Sequence, residues 1–189
     1  AVFGLWVDDL RCRLGYDWFV AQGIDSARVK VTMLSDGTAT YNNFHNYFGD
    51  AATATWMGED PAWALGKAKF GTDGNGADHL FVKDGFFHMN GRQVFNFASL
   101  KIIPHMQEVL DEAGLSLGTV DAFCLHQGSG AIVDAIAKRL GENGDRVVKN
   151  MFGAGNTVSS TIPLLMEHYA FEGSAWKSLV MSGFGVGLS

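Results

Sequence analysis

The order of apolar and polar positions predicts the elements of this chain, most sharply between residues 120 and 140. Val120 to Leu125 is an apolar run broken only by Asp121, and it stops at His126-Gln-Gly. A short apolar run closed by turn residues reads as a buried strand. Directly after it, Ile132, Val133, Ile136, Ala137 and Leu140 fall on one face of a helix spanning Ser129 to Leu140, and Gly141 terminates it. The stretch is a strand, a sharp turn and a helix, with an imidazole at the strand's C-terminal end. In open α/β folds that position faces the ligand crevice.

The same reading extends along the chain. Residues 1–7 are a buried strand. Asp8 and Asp9 open a helix to Gln22, with Leu10, Leu14 and Trp18 at helical spacing and Gly23 as its stop. Arg28 to Leu34 is a second strand, and Ser35 to Gly37 turns into a polar, aromatic loop ending at Tyr47. Phe48 to Met57 is rich in small residues and ends in a third strand; Gly49-Asp50 suits a helix turn or a tight corner where two elements touch. A turn follows from Gly58 to Pro61, then an outward strand or short extended segment from Ala62 to Phe70 and a loop from Thr72 to Gly76. Leu80 to Met89 forms a hairpin across Asp84-Gly85, and Asn90-Gly91 is a further turn.

From Arg92 to Ala113 the period is helical, with Val94, Phe97, Ile102, Met106, Val109 and Leu110 as the apolar face. Pro104 should kink or split this helix, and Gly114 ends it. Beyond the His126 segment come a short strand from Val147 to Phe152 and a polar loop from Gly153 to Thr161. A helix then runs to about Phe171 with Pro163 in its first turn, where proline is tolerated. Leu179 to Ser182 is the last strand and Gly183 to Gly187 a glycine turn. From about residue 94 onward helix and strand alternate, and the first sixty residues show the same alternation with fewer elements, which indicates an α/β layered domain.

Composition narrows the functional classes. The chain has 189 residues, 47% apolar and 18% charged, a globular composition with enough length for a sizeable core. Its net charge is −6 and no basic run occurs, which argues against nucleic acid as a partner. The two cysteines, Cys12 and Cys124, lie far apart, so a reducing, cytoplasmic compartment is expected. No window is apolar enough for a membrane span, and the N-terminal stretch lacks the flanks of a signal peptide. His45, His79, His88, His105 and His168 show no ligand spacing, Thr72 to Gly76 lacks the later acidic ligand of a calcium loop, and no metal or cofactor is expected. Asp8-Asp9 and Glu59-Asp60 read as helix-start and turn acids.

Candidate chemistry lies in three loops that follow three strands: His126-Gln-Gly, Gly155-Asn-Thr and Gly183-Phe-Gly-Val-Gly. If those strands are neighbours, the loops converge at one edge of the sheet. His126 can donate a hydrogen bond or shuttle a proton. The Asn156 amide can share a developing oxyanion, and Gly183, Phe184 and Gly185 can offer backbone N–H groups. Such a set suits acyl chemistry on a thioester or stabilisation of an enolate. Taken singly, His126 also fits a structural role at a strand end, and Asn156 a turn residue.

These residues resemble the C-terminal part of the ketoacyl-ACP synthase III-like enzymes, of the thiolase-like fold. Phe48-Gly-Asp-Ala-Ala is similar to the family's Phe-Gly-Asp-Gly-Ala, and Met89-Asn-Gly-Arg-Gln-Val-Phe to its Met-x-Gly-x-x-Val-Phe. His126-Gln resembles its catalytic His-Gln, Gly155-Asn-Thr its catalytic Gly-Asn-Thr, and Gly183 to Gly187 its closing glycine loop. The resemblance implies an acyltransferase of fatty acid or polyketide biosynthesis, acting on acyl-CoA or an acyl-carrier protein and working as a homodimer or a heterodimer with a synthase-like chain. A cysteine would take the acyl group, while His126 and Asn156 help decarboxylate a malonyl thioester and stabilise its enolate. The implied fold places helices on a mixed β-sheet, incomplete here. Residues 1–60 would end an N-terminal thiolase-like half, 61–91 form a connecting hairpin region, and 92–189 make the C-terminal half.

Three departures from the family pattern matter. Counted back from Gly23 by the family's spacing, the nucleophile position holds Trp6, and Cys12, the remaining candidate, lies inside the expected helix as a structural thiol. The first half of the family's chain and the strand after its glycine loop are not matched, so a fragment of a longer protein is expected. Gly128-Ser-Gly130 is neutral where the family often carries a basic residue near the carrier-protein entrance. An acyltransferase is therefore weighed against a non-catalytic synthase-like partner subunit, and against a generic α/β small-molecule binding module if the motif matches are accidental.

Overall fold

The computed structural model describes residues 49, 51–55, 59, 61–84, 86–171, 175–185 and 188–189, with Phe86 and Phe171 as backbone only. The strand expected over 1–7, the helix from Asp8 to Gln22, the strand from Arg28 to Leu34, Trp6, Cys12 and the strand end at Trp56-Met57 lie outside the described residues.

Two small sheets and three α-helices make up the described structure. Strands β1 (Leu80–Lys83) and β2 (Phe86–Met89) pair antiparallel in the register Leu80↔Met89 to Lys83↔Phe86, the expected hairpin. Asp84 takes a φ of +53° at the first turn position, the left-handed conformation a two-residue hairpin asks of it. Asn90, expected in a turn, instead caps the long helix α1 (Gly91–Glu112): its side-chain oxygen accepts the Gln93 N–H at 3.3 Å. Pro104 does not split α1, which continues for 22 residues. The carbonyl it leaves without a donor belongs to Leu100, on the exposed face where water can substitute. Gly114, with a φ of +70°, ends the helix in the left-handed conformation.

Strand β3 (Ala122–Leu125) is buried at all four positions, as a parallel strand covered on both faces should be. It pairs parallel with β4 (Leu179–Ser182), from Ala122↔Leu179 to Leu125↔Ser182. On its other edge Phe123 forms a parallel bridge with Val147. Helix α2 (Gly130–Arg139) starts at Ser129, whose hydroxyl accepts the Ile132 N–H at 3.2 Å. The main core joins Ala98, Ile102, Met106 and Leu110 of α1, Phe123 and Leu125 of β3, and Ile132, Val133 and Ile136 of α2. Helix α3 (Thr161–Leu165) follows a 3-10 turn at Val158–Ser160 and passes into a π-helical turn over Met166–Phe171. Pro163 sits in the first turn of α3, where its missing N–H has no intrahelical partner to lose.

Further expectations change. The strand expected over Val147 to Phe152 is a single bridge at Val147 followed by irregular chain. Its ladder is replaced by the buried Gln127 amide, which donates to the Leu125 carbonyl at 2.7 Å and the Val148 carbonyl at 3.4 Å and accepts the Asn150 N–H at 3.2 Å. Of the two readings of Ala62 to Phe70, an outward strand or a short extended segment, the strand does not form, and Leu65 and Phe70 are exposed. Part of the loop expected from Thr72 to Gly76 is a 3-10 turn, Gly74–His79, against which Leu188 packs. Among the described residues, no helix is long and apolar enough to cross a membrane.

Candidate active site

Because β3 is flanked by β4 and by Val147, all running parallel, the chain leaves the same end of the sheet three times. His126 follows β3, the loop to Asn156 follows Val147, and Gly183 follows β4. The His126 backbone N–H continues the ladder, donating to the Ser182 carbonyl at 2.9 Å. Gln127 then ties this strand end to the Val148–Asn150 segment, which fixes where the imidazole stands.

Among the described residues, the imidazole meets two side chains. Its Nδ1 lies 2.8 Å from the Thr161 hydroxyl, and the Phe184 ring meets it edge-on with centroids 5.3 Å apart. Burial pushes its pKa from 6.5 down to about 4, although the adjacent Val158 carbonyl pulls the other way. At neutral pH the ring is therefore uncharged.

Asn156 is held at both ends. Its main-chain carbonyl accepts the Gly49 N–H at 2.8 Å, and its side-chain oxygen accepts the Val158 N–H at 2.9 Å. With the oxygen engaged, the Nδ2 amide is the end directed to donate. Val158 has a φ of +53°, a left-handed conformation that costs a β-branched residue about 1–2 kcal/mol. That conformation gives its N–H to Asn156 while its carbonyl accepts the Thr161 hydroxyl at 3.0 Å. Asn156, Val158, Thr161 and His126 thus form one connected chain of contacts, although Asn156 and His126 make no direct bond with each other.

Gly49 is the tight corner that the sequence offered as one of two readings. A Cβ there would collide with the Ala154 carbonyl, so only glycine lets this backbone dock on the Asn156 loop. Thr53 reinforces the contact through the Ser160 hydroxyl at 3.2 Å. Gly49→Ala should destabilise the protein by about 1–3 kcal/mol through overpacking, read as a lowered denaturant midpoint at unchanged slope.

The Gly185 N–H donates to the Ser189 carbonyl at 3.0 Å, so that one of the three backbone donors is engaged elsewhere. Cys124, in the centre of β3, is fully buried and burial raises its pKa to about 11, so it stays a protonated structural thiol. No group of three His, Cys, Asp or Glu among the described residues could hold a metal ion. Thr161, Val158 and the buried Gln127 amide are the parts that sequence reasoning missed as contributors. The polarity of the Gly153 to Thr161 stretch was the only signal for the first two.

The His126 environment also sets a pH response. The unfolded imidazole takes its proton near pH 6.5, while the folded one waits until about pH 4. Between those values the unfolded chain binds more protons, so stability is complete above 6.5 and is lost as pH falls towards 4. The component is on the order of 3 kcal/mol. Thermal melts should show it, and His126→Gln should flatten the melting temperature across that window; an unchanged pH slope would contradict the burial argument.

Residues 110–189 match the model of the family described as 3-oxoacyl-[acyl-carrier-protein (ACP)] synthase III C terminal. The chain is 32% identical over 177 residues to beta-ketoacyl-[acyl-carrier-protein] synthase III of Geobacillus kaustophilus, covering 92% of this chain and 55% of the relative. It is 34% identical over 179 residues to synthase III 1 of Halalkalibacterium halodurans, at the same 92% and 55%. The crystal structure of 3-oxoacyl-(acyl carrier protein) synthase III from Pseudomonas aeruginosa superposes with a TM-score of 0.56 at 33% identity, over 62% of this chain and 39% of that one. The chain therefore spans about half the length of the curated relatives it matches.

Proposed function

We propose that this chain, ketoacyl-ACP synthase III-like by its match over residues 110–189, belongs to an acyltransferase that condenses or transfers an acyl thioester with a malonyl-type thioester. Residues 92–189 act as its C-terminal half and hold the malonyl-handling side of the site. Substrates are an acyl-CoA or an acyl-carrier protein, and the working protein is a dimer in the cytoplasm.

Loss of carbon dioxide from a malonyl thioester leaves its bonding electron pair on an enolate, with charge on the thioester oxygen. The Asn156 amide and the ring N–H of the neutral His126 donate to that oxygen, and the Gly183 and Phe184 main chain borders it. The enolate carbon then attacks the acyl thioester and expels its thiolate. The observation that carries this reading is the connected chain His126–Thr161–Val158–Asn156 at the C-terminal edge of a parallel sheet. Full-length protein given malonyl-CoA and malonyl-carrier protein should release carbon dioxide from at least one; release from neither would sink the reading.

One observation favours a second reading. Trp6 stands where the resemblance expects the nucleophilic cysteine, and an indole cannot be acylated. A non-catalytic partner subunit would keep the malonyl side of the site without an acyl-enzyme. Intact-protein mass after incubation with acyl-CoA separates the two: a stable acyl adduct supports the enzyme, and none supports the partner.

A further inference from the structure

His126 and Asn156 stand on loops that leave different strands, so an oxygen bonded by both needs their separation fixed. Downstream of Asn156 the link runs through the Val158 main chain and the Thr161 hydroxyl, both of which meet the imidazole. Upstream, Gln127 spans the gap. It directly follows His126 and is only 2% exposed. Its amide nitrogen donates to the Leu125 carbonyl at 2.7 Å and the Val148 carbonyl at 3.4 Å, and its oxygen accepts the Asn150 N–H at 3.2 Å. Both of its N–H donors are thereby engaged. The main-chain ladder beside β3 ends at Val148, whose N–H reaches the Phe123 carbonyl at 3.2 Å. Past that point the Gln127 amide carries the link between the two chain segments. From Asn150 the route to Asn156 is short. The Met151 carbonyl accepts the Gly155 N–H at 2.7 Å, closing a turn in which Gly155 takes a φ of +69°, and Asn156 leaves that turn directly. Movement of Asn150 away from Gln127 therefore moves Asn156 relative to His126. None of the Gln127 bonds goes to the imidazole or to the Asn156 side chain.

We propose that Gln127 is a positioning residue: its buried amide, gripping Val148 and Asn150, sets the separation of the His126 and Asn156 donors from the upstream side. Its effect on turnover rests on the functional reading above, whereas its effect on geometry can be read without turnover.

The test uses the full-length protein with two variants. Gln127→Met keeps the length of the side chain and makes none of the three bonds. Gln127→Glu keeps an acceptor for Asn150 and loses the paired donors. Nitrogen-15 NMR follows the Asn156 side-chain amide, which should shift in both variants, and hydrogen exchange at the Asn150 N–H should quicken in Gln127→Met. On the malonyl thioester that wild type decarboxylates, CoA or carrier-protein bound, kcat should fall at least ~10-fold with KM little changed. In an Asn156→Ala background, where one of the two donors is already gone, the same substitutions should cost less than ~3-fold. A mere loss of folded protein would lower the rate by the same factor in both backgrounds. An unshifted Asn156 amide, or equal losses in the two backgrounds, overturns the positioning role. If Gln127→Met folds poorly, Gln127→Glu carries both readouts. A shifted Asn156 amide in a protein that leaves malonyl thioesters intact keeps the geometric role and overturns the functional reading, while an unshifted amide beside an active wild type does the reverse.

Discussion

Replacing His126 by alanine in the full-length protein should all but abolish malonyl-thioester decarboxylation, a fall of about 10²–10³-fold, the usual cost of deleting one oxyanion donor. His126 is held by its backbone N–H, which donates to the Ser182 carbonyl at the end of β4, and its imidazole by Thr161 at Nδ1 and the edge contact with Phe184. Among the described residues, no other titratable group lies on the connected chain from Asn156 through Val158 and Thr161 to His126. The fold should survive, because the ring is not part of the main core formed by α1, β3 and α2. Carbon dioxide release measures the effect, with the far-ultraviolet spectrum and melting temperature as controls. Decarboxylation at the wild-type rate would remove His126 from the mechanism.

Asn156→Ala should lower kcat for the same step about 10²–10³-fold, the usual cost of deleting one oxyanion donor. Its loss differs in kind from that of His126. The side-chain oxygen also braces the strained Val158 N–H, so alanine releases that residue as well as deleting the donor. Asn156→Asp keeps the acceptor for Val158 and replaces the amide donor with a charge that repels the enolate. If the donor is what matters, aspartate should be at least as damaging as alanine, and if bracing matters, aspartate should recover activity. Steady-state kinetics on the malonyl thioester distinguishes these outcomes.

The sequence disclosed the scaffold of the site more fully than its wiring. The apolar run into His126 and the periodic face from Ile132 to Leu140 are local signals, and both elements form where periodicity places them. Gly114 and Gly141 stop their helices because a left-handed φ is a local need that glycine meets. The failures are tertiary. Val147 to Phe152 reads as a strand by its residues, but the partner for that backbone is a side chain, Gln127, and no periodicity encodes a bond between residues 127 and 150. Asn90-Gly91 reads as a turn, and the same asparagine chemistry serves as a helix cap. The position of Pro104 within α1 shows that one missing hydrogen bond on a solvent face is tolerated when the opposite face packs into a core.

For the site, His126, Asn156 and the glycine loop are legible as residue types that suit acyl chemistry, and the family resemblance joins them. Thr161 is not, because a threonine in a small polar loop has no distinguishing mark until the imidazole is 2.8 Å away. Nor is the strain at Val158, which follows from bonds made to both sides of it. The Gly185 N–H, expected to face substrate, turns to Ser189 for the same reason: composition marks a flexible turn but does not say where each donor points.

The central claim is that His126 and Asn156, joined through Val158 and Thr161, work as one unit on a malonyl-type thioester. A double-mutant cycle on carbon dioxide release by the full-length protein tests it most directly. One unit predicts that the His126→Ala, Asn156→Ala double variant is no slower than the worse single variant, since either loss already disables the site. Losses that multiply would show two independent contributions, and rates equal to wild type in all three variants would contradict the site altogether.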